Sequence, residues 1–289
     1  SYGAGSLSPA PGVWSGFFAP HAHLLNFMEQ VPAYNAINFA ATNTGQITTG
    51  GGTVVFSVNY TAFVLASNVF LCPSDPNLSR GGISENNYRC NFGGSTPYAG
   101  GFYRNATNGN AVDLNYGGNG AFTYGKGISI AEMTDGTSNT AAFAERSKGS
   151  GQSLGTVPTG TVPRQDTIFI PGSAPTAYTI DQLFNNCRNP GPTVTTPFNS
   201  NGRWLPGTDF SDGWAFAWYA ATLYNHVAPP NWEGLDCAVG TSIADVPGEH
   251  SITSARSFHP GGVNACMADG SVRFVKSTVN VLTWRAIGS

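Results

Sequence analysis

The stretch FHPGGVNACMADGSVRFV, residues 258–275, constrains the fold more than any other part of the chain, because it reads as a complete β-hairpin. Pro260 and Gly261 suit the two central positions of a type II turn. Residues 263–268 alternate apolar and other side chains, as a strand with one buried face does. Asp269 and Gly270 then form a strong hairpin signal. We therefore predict two antiparallel strands near the C-terminus.

The register of this hairpin follows from pairing its apolar residues. Folding the chain at Asp269 places Met267 opposite Val272 and Ala265 opposite Phe274. Cross-strand pairs of this kind stabilise a sheet, and a shift of one residue would move them to the other face. We expect these four side chains to share the buried face.

The histidine and the aspartate of this stretch are predicted to be structural. A strand rises about 3.3 Å per residue, so roughly 20 Å separates His259 from Asp269. Acid–base partners must lie about 2.6–3.2 Å apart. We expect Asp269 and Gly270 to form the turn and His259 to anchor the opposite end of the strand, with no catalytic residue in this unit.

Charge is scarce throughout the chain. Charged residues make up 10% of the sequence and the net charge is -3, against roughly 25% charged residues in typical soluble domains. This balance excludes the basic surface of a nucleic-acid-binding protein. The sequence contains no run of 18 apolar residues, so no membrane span is predicted within it. With 37 Gly and 19 Pro, turns must be frequent, which is typical of β-rich folds.

The predicted fold class is α+β, a single domain over residues 1–289 that is mainly antiparallel β-sheet with long Gly/Pro-rich loops. Residues 1–18 read as a linker that continues from an upstream segment. A short helical region is expected over residues 19–39, with Pro20 in the first turn and Pro32 breaking the helix. Residues 148–201 lack periodicity, and we interpret them as a loop-rich insertion with one short strand.

Five cysteines offer a disulfide framework but no metal-ligand spacing. We predict the pairs Cys72–Cys90 and Cys187–Cys237, with Cys266 as a small buried side chain. Connectivity cannot be read from sequence, so five free buried thiols remain the alternative.

The segment TDGTSN, residues 134–139, concentrates oxygen ligands. Asp135, Thr137 and Asn139 are the candidate ligands of a calcium loop. Calcium usually takes six to eight oxygens, several of them from carboxylates, and only one carboxylate is local. Capping and turn hydrogen bonds account for the same residues. We therefore predict no cofactor, with calcium as the alternative.

The sequence contains no G-x-S-x-G, HExxH, phosphate-loop or dinucleotide motif. His21 and His23 are two residues apart, so on a helix they diverge by about 200° and cannot share a metal as an i, i+4 pair does. We predict that the protein is not an enzyme, and a hydrolase would require polar groups to converge in a pocket.

Several motifs together carry a family resemblance. The stretch at residues 258–275 resembles the H-x9-DG signature of the DUF1559 family, with His259, Asp269 and Gly270 at the signature positions. The segments PHAHLLNFMEQVPAYNAINF, LCPSDPN, MTDGTSNT and HVAPPN also resemble the family, in the family's order.

The resemblance implies a pilin- or pseudopilin-like secreted protein of the kind abundant in planctomycetes. Such proteins begin with a leader and a long hydrophobic helix that anchors the precursor in the inner membrane. We expect this chain to be the globular head without that helix and without its own membrane contact. The implied location is extracellular or at the cell surface, with the periplasm as an alternative. The implied partners are further copies or pseudopilin-like subunits, and the family supplies no catalytic residues.

The predicted function is therefore a non-enzymatic structural subunit of an extracellular filament or a cell-surface or secretion assembly. The alternative is a module that binds glycans or other ligands through loop aromatics. Exposure of Trp214, Trp218 and Trp232 would favour the alternative, and their burial would oppose it.

Overall fold

The computed structural model of the chain describes residues 3–4, 14–15, 18–39, 45–49, 52–56, 59–66, 68–77, 85–93, 103–104, 112–113, 119–123, 127–150, 155–170, 180–196, 214–215, 221–239 and 251–289. The α-helices are α1 (Pro20–Leu24), α2 (Val31–Asn35), α3 (Tyr60–Leu65), α4 (Ile180–Arg188) and α5 (Val281–Ala286). The strands are β1 (Gly3–Ala4), β2 (Trp14–Ser15), β3 (Gly45–Thr49), β4 (Gly52–Phe56), β5 (Tyr88–Asn91), β6 (Tyr103–Arg104), β7 (Val112–Asp113), β8 (Ala141–Glu145), β9 (Gly155–Pro158), β10 (Thr167–Ile170), β11 (Thr193–Thr196), β12 (Leu223–Tyr224), β13 (Asp236–Val239), β14 (Ser251–Ile252), β15 (Gly262–Met267) and β16 (Val272–Lys276).

Two five-stranded sheets dominate the fold. The first has the strand order β12-β5-β8-β15-β16 and the second the order β14-β13-β10-β11-β9. Each sheet contains one parallel pair, β12 with β5 and β10 with β13, and its other pairs are antiparallel. The predicted α+β class is confirmed. In the described part of the chain, no helix has the length and hydrophobicity to cross a bilayer.

The N-terminal helical region is present but is divided differently from the prediction. Helix α1 starts at Pro20 and continues as a 3-10 helix, Leu25–Phe27. The chain leaves the helix at Glu29, whose φ is +59°. Pro32 then lies in the first turn of α2. The expectation that Pro32 breaks the first helix is wrong, because a proline in a first turn starts a helix without removing a needed N–H donor.

The described part of residues 148–201 contains more regular secondary structure than the predicted loop-rich insertion with one short strand. They contain β9, β10, β11 and α4, so three of the five strands of the second sheet come from this segment. Its apolar pattern is sparse. In α4 only Leu183 and Cys187, one turn apart, are buried. In β11 the buried Val194 and Thr196 alternate with exposed threonines.

The C-terminal hairpin forms as predicted, but its register differs by one residue. Cys266 pairs with Val272 and Asn264 with Phe274, so Val272 and Phe274 face outward and are exposed. The reason is the turn. The Met267 N–H donates to the Ser271 carbonyl at 2.8 Å, which closes a three-residue loop over 268–270. Gly270 ends this loop in the left-handed region, with φ of +84°.

One disulfide joins the helix and the sheet of the second half of the fold. Cys187 of α4 is bonded to Cys237 of β13, which confirms the predicted Cys187–Cys237 pair. Both cysteines lie in a core cluster with Ile168, Leu183 and Ile252, among others.

A buried ion cluster joins the two sheets. Asp236 begins β13 of the second sheet, and its carboxylate lies 3.0 Å from Arg146, directly after β8 of the first sheet, and 3.0 Å from Arg256. The same carboxylate accepts hydrogen bonds from Ser254 N at 2.9 Å and from Trp232 Nε1 at 3.0 Å. Although burial opposes ionisation, the two guanidiniums and these donors hold the pKa of Asp236 below its ordinary value.

Two buried histidines are hydrogen-bonded to backbone carbonyls of distant segments. His21 Nε2 lies 2.6 Å from the Tyr88 carbonyl oxygen. The His226 ring is bonded through Nδ1 to the Trp284 carbonyl at 2.7 Å and stacks on the Trp284 ring. Burial lowers the pKa of His21 from 6.5 to about 4 and that of His226 from 6.5 to about 3. Both imidazoles are therefore neutral in the folded chain near neutral pH.

We predict that Asp236→Asn destabilises the fold by about 3–5 kcal/mol, because it removes the carboxylate that is paired with two buried guanidiniums. Urea unfolding monitored by circular dichroism measures the change. The control is Asp181→Asn, whose carboxylate is bonded to Arg285 at the surface and is expected to contribute less than about 1 kcal/mol. Equal effects of the two substitutions would contradict the importance of the buried cluster.

We also predict that stability falls as the pH drops from 7.5 to 5. The unfolded chain binds protons at His21 and His226 below about pH 6.5, whereas the folded chain does not bind them until about pH 4 and 3. Each histidine therefore costs about 2 kcal/mol of unfolding free energy at pH 5. His21→Gln should reduce this dependence, and His23→Gln, at an exposed position, should not. A flat profile over this range would show that the histidines are not buried in the neutral form.

Candidate functional site

Three polar side chains from separate segments meet beside one end of the first sheet. One ligand atom each from Cys72, Glu145 and His259 lies within 4.8 Å of the other two. Cys72 belongs to the LCPSDPN segment, Glu145 ends β8, and His259 belongs to FHPGG. In the part of the chain that the structure describes, this is the one such group of three Cys, His, Asp or Glu side chains.

Glu145 is the fixed member of the group. Antiparallel pairing of β8 with β15 brings the end of β8 beside Asn264. Asn264 donates its backbone N–H to Glu145 Oε2 at 2.7 Å and its side-chain amide to Oε1 at 3.0 Å. His259 Nε2 lies 3.2 Å from the same Oε1. The carboxylate is buried, and these contacts set its orientation.

His259 is held by its loop. The predicted type II turn is consistent with Gly261, whose φ is +84°. Ser257 Oγ donates to the Gly262 carbonyl at 2.7 Å and accepts the His259 backbone N–H at 3.1 Å. Asn231 of the HVAPPN segment accepts the Ser257 N–H at 2.8 Å. The imidazole thus sits on a loop that Ser257 and Asn231 hold in place, and its side chain is about 30% exposed.

Cys72 is a free, half-buried thiol. Its backbone N–H donates to Asn87 Oδ1 at 2.9 Å. The phenol of Tyr88 lies beside it, and burial, with smaller contributions from Cys72 and Glu145, raises the pKa of Tyr88 to about 12. Tyr88 therefore remains a protonated neighbour of the thiol.

The predicted Cys72–Cys90 disulfide is wrong, since both cysteines are free. Cys90 lies in the core with Phe92 and Leu223, and its thiol donates to the Thr222 carbonyl at 3.1 Å. Cys72 instead faces the end of β8. Cys266, expected to be buried, is half-exposed on the outer face of the hairpin.

Asp269 lies at the other end of β15 from His259. Its carboxylate accepts hydrogen bonds from the Ser271 N–H at 2.9 Å and from the Ser271 hydroxyl at 2.6 Å, and these bonds lower its pKa. Its own N–H donates to the Thr137 carbonyl at 3.1 Å. The described contacts of Asp269 thus form a turn, and those of His259 form the cluster with Glu145.

The candidate calcium ligands form a turn of their own. Asn139 donates its side-chain amide to the Asp135 carbonyl at 3.0 Å, and the Thr137 carbonyl accepts from Asp269. A cleft lined by residues that include Thr134 and Asp135 lies alongside. Calcium binding at Asp135, Thr137 and Asn139 stays the alternative to the predicted absence of a cofactor.

The cluster geometry distinguishes between two kinds of chemistry. A thiol–histidine–acid relay needs the thiol and the acid on opposite imidazole nitrogens. Here the ligand nitrogen of His259 lies within 4.8 Å of both the Cys72 sulfur and a Glu145 carboxylate oxygen. A shared nitrogen suits a common central ion better than a relay. Sequence reasoning did not group these residues, because Glu145 and His259 are 114 positions apart and no local spacing relates them to Cys72.

We predict that alkylation of the folded protein modifies Cys72 and Cys266 but not Cys90. The first two are partly exposed, whereas Cys90 is fully buried and its burial raises the pKa of the thiol. Peptide mass spectrometry, with and without prior unfolding, identifies the modified positions. Recovery of a peptide that joins Cys72 to Cys90 would contradict the structure.

A protein-family model matches the chain. The family model for DUF1559, described as a protein of unknown function, matches residues 3–282. No curated protein and no solved structure matches the chain. The match extends over nearly the whole sequence, and the three members of the cluster all lie within it. The chain belongs to the DUF1559 family.

Proposed function

We propose that this protein is a non-enzymatic structural subunit, the pseudopilin-like head of an extracellular filament or of a cell-surface or secretion assembly. Its partners in this proposal are further copies of the chain or related pseudopilin-like subunits. Family membership supports the proposal at the coarse level, and one surface of the fold supports it specifically.

That surface, which we term the apolar helical surface, lies on the N-terminal helices. It consists of the exposed apolar side chains Phe27, Met28, Val31, Val64 and Leu65. Helix α2 packs against both the 3-10 helix before it and α3, so these side chains belong to adjoining elements. Phe27 is 82% exposed and Leu65 is 54% exposed.

The first helical segment has one buried face and one exposed apolar face. His21, Ala22 and Leu25 form the buried face, whereas Phe27 and Met28 point to solvent. Clustered exposed apolar side chains of this kind mark interaction surfaces. Burying one such side chain in a contact contributes about 1.5–3 kcal/mol, so a few of them can hold copies together.

The buried charges also favour a structural role. Asp236 is paired with two arginines, and Lys148 Nζ lies 2.8 Å from Glu85 Oε2. Paired buried groups of this kind join segments of the chain to one another. When charged side chains are paired inside the fold, fewer of them remain at the surface. Electrostatic repulsion between packed copies is then lower.

The alternative, a ligand-binding row of loop aromatics, has little support. Trp214 packs in a core cluster with Phe63 and Phe70. Trp232 packs in the core of the second half, where its ring N–H donates to Asp236. Trp218 lies outside the described residues. Two of the three candidate aromatics are therefore buried rather than displayed.

We also propose an extracellular or cell-surface location. The Cys187–Cys237 disulfide supports it, because disulfides persist mainly in oxidising compartments. The net charge of -3 supports partners other than nucleic acids.

We predict that the native protein forms ordered polymers and that the double substitution Phe27→Ser with Leu65→Ser weakens their assembly more than tenfold. The loss follows from removing two side chains that would be buried on contact. Electron microscopy and sedimentation over a concentration series measure it.

The matched control is Ile130→Ser with Leu282→Ser. These side chains are 72% and 68% exposed and lie outside the apolar helical surface, so the substitutions should leave assembly unchanged. Dispersed monomers at all concentrations, or equal effects of the two double substitutions, would argue against the proposed role.

A further inference from the structure

We propose that Cys72, Glu145 and His259 form a zinc site, with the thiolate sulfur, a carboxylate oxygen and an imidazole nitrogen as ligands and a fourth position open to solvent. This inference goes beyond the structural role proposed above and does not depend on assembly.

The three ligand types match the chemistry of zinc. Zinc in proteins is bound by Cys sulfur, His nitrogen and Asp or Glu oxygen. Calcium and magnesium prefer oxygen ligands alone, and a site with sulfur, nitrogen and oxygen excludes them as the natural occupants. Three protein ligands leave room for one water or other small ligand in a tetrahedral shell.

The distances require only a modest rearrangement. Zinc–sulfur bonds of about 2.3 Å and zinc–nitrogen or zinc–oxygen bonds of about 2.0–2.2 Å place tetrahedral ligands roughly 3.3–3.7 Å apart. The three ligand atoms already lie within 4.8 Å of one another. Cys72 and His259 lie on loops and are partly exposed, so they can close on Glu145 and a metal can enter from solvent.

Glu145 has the oriented position that a metal ligand needs. Asn264 donates two hydrogen bonds to the carboxylate, at 2.7 and 3.0 Å. Hydrogen bonds of this kind orient metal ligands and tune their affinity. With zinc bound, His259 would turn its nitrogen from Glu145 Oε1 to the metal, and Asn264 would continue to hold the carboxylate.

Binding involves one defined proton change at the sulfur. The Cys72 thiol loses its proton to solvent when the sulfur–zinc bond forms, and His259 must be neutral to donate its lone pair. Affinity should therefore rise with pH. The bound metal would link the LCPSDPN segment, β8 and the His259 loop, so it should raise the thermal midpoint of unfolding.

The test uses the whole chain, freed of metal with a chelator and kept under anaerobic conditions so that thiols stay reduced. Titration calorimetry with zinc should give one site per chain. Cobalt(II) should produce the charge-transfer band of a cobalt–thiolate bond and the visible bands of tetrahedral cobalt.

Substitutions assign the site. Cys72→Ser and His259→Gln should abolish the cobalt–thiolate band or shift it. Both should lower the zinc affinity at least as much as the loss of a residue that hydrogen-bonds to a ligand does, which is roughly 10–100-fold. Asn264→Ala should weaken it within that range. The controls are Cys266→Ser, at another half-exposed free thiol, and His23→Gln, at an exposed histidine, and both should bind zinc as the parent chain does.

Three outcomes would overturn the proposal. They are no zinc binding by the parent chain at micromolar to submillimolar concentrations, unchanged binding in both Cys72→Ser and His259→Gln, and an equal loss in Cys266→Ser. Circular dichroism of each variant identifies misfolding. If Cys72→Ser misfolds, His259→Gln, at a partly exposed loop position, decides the question. Zinc binding with no polymers, or polymers with no zinc binding, would separate this proposal from the structural role.

Discussion

The carboxylate of Asp236 is the contact on which the arrangement of the two sheets depends. It belongs to the second sheet, and the guanidinium of Arg146 reaches it from the end of a strand in the first. Arg256 approaches the other oxygen of this carboxylate from the segment between β14 and β15. A displaced packing that kept these groups buried would leave three unpaired charges in a medium of low dielectric constant, which is far more costly than leaving them in water. The cluster therefore specifies one relative placement of the sheets. It uses three of the few charged residues in a sequence that is only 10% charged.

The end of β8 and the residues directly after it take part both in the candidate site and in the buried ion pairs. Glu145 turns into the cluster with Cys72 and His259, Arg146 turns to Asp236, and Lys148 reaches Glu85. Neighbouring residues of one strand end thus hold the candidate metal ligands and the junction of the sheets. The position of Glu145 is inherited from the most constrained part of the fold, whereas Cys72 and His259 come from loops. A site built in this way has one rigid member and two that can adjust.

Local chemistry explains what could be predicted from the sequence. Ser129 and Glu132 have the S-x-x-E spacing that predicts a capping box, and the box forms, with the Ser129 N–H donating to Glu132 at 2.7 Å. The predicted Cys187–Cys237 pair also forms. The hairpin was recognisable from Asp269 and Gly270, but its register was not, because the choice of loop length depends on hydrogen bonds that the residue pattern does not specify. One short strand was predicted in residues 148–201, and β10 is that strand. Strands β9 and β11 were missed because a single valine in each gives a weak period. The Cys72–Glu145–His259 cluster could not be predicted from the sequence, because only tertiary contacts bring together residues so far apart in the chain.

The one-residue difference in the hairpin also changes what the outermost strand offers to its surroundings. In the first sheet, β16 is the last strand, and the shift leaves Val272 and Phe274 in water on that rim. Another chain can pair with the main-chain N–H and C=O groups of an apolar edge strand and extend the sheet. Arg273 and Lys276 are exposed on the same strand. Their positive charges make edge-to-edge pairing of two copies through β16 less favourable.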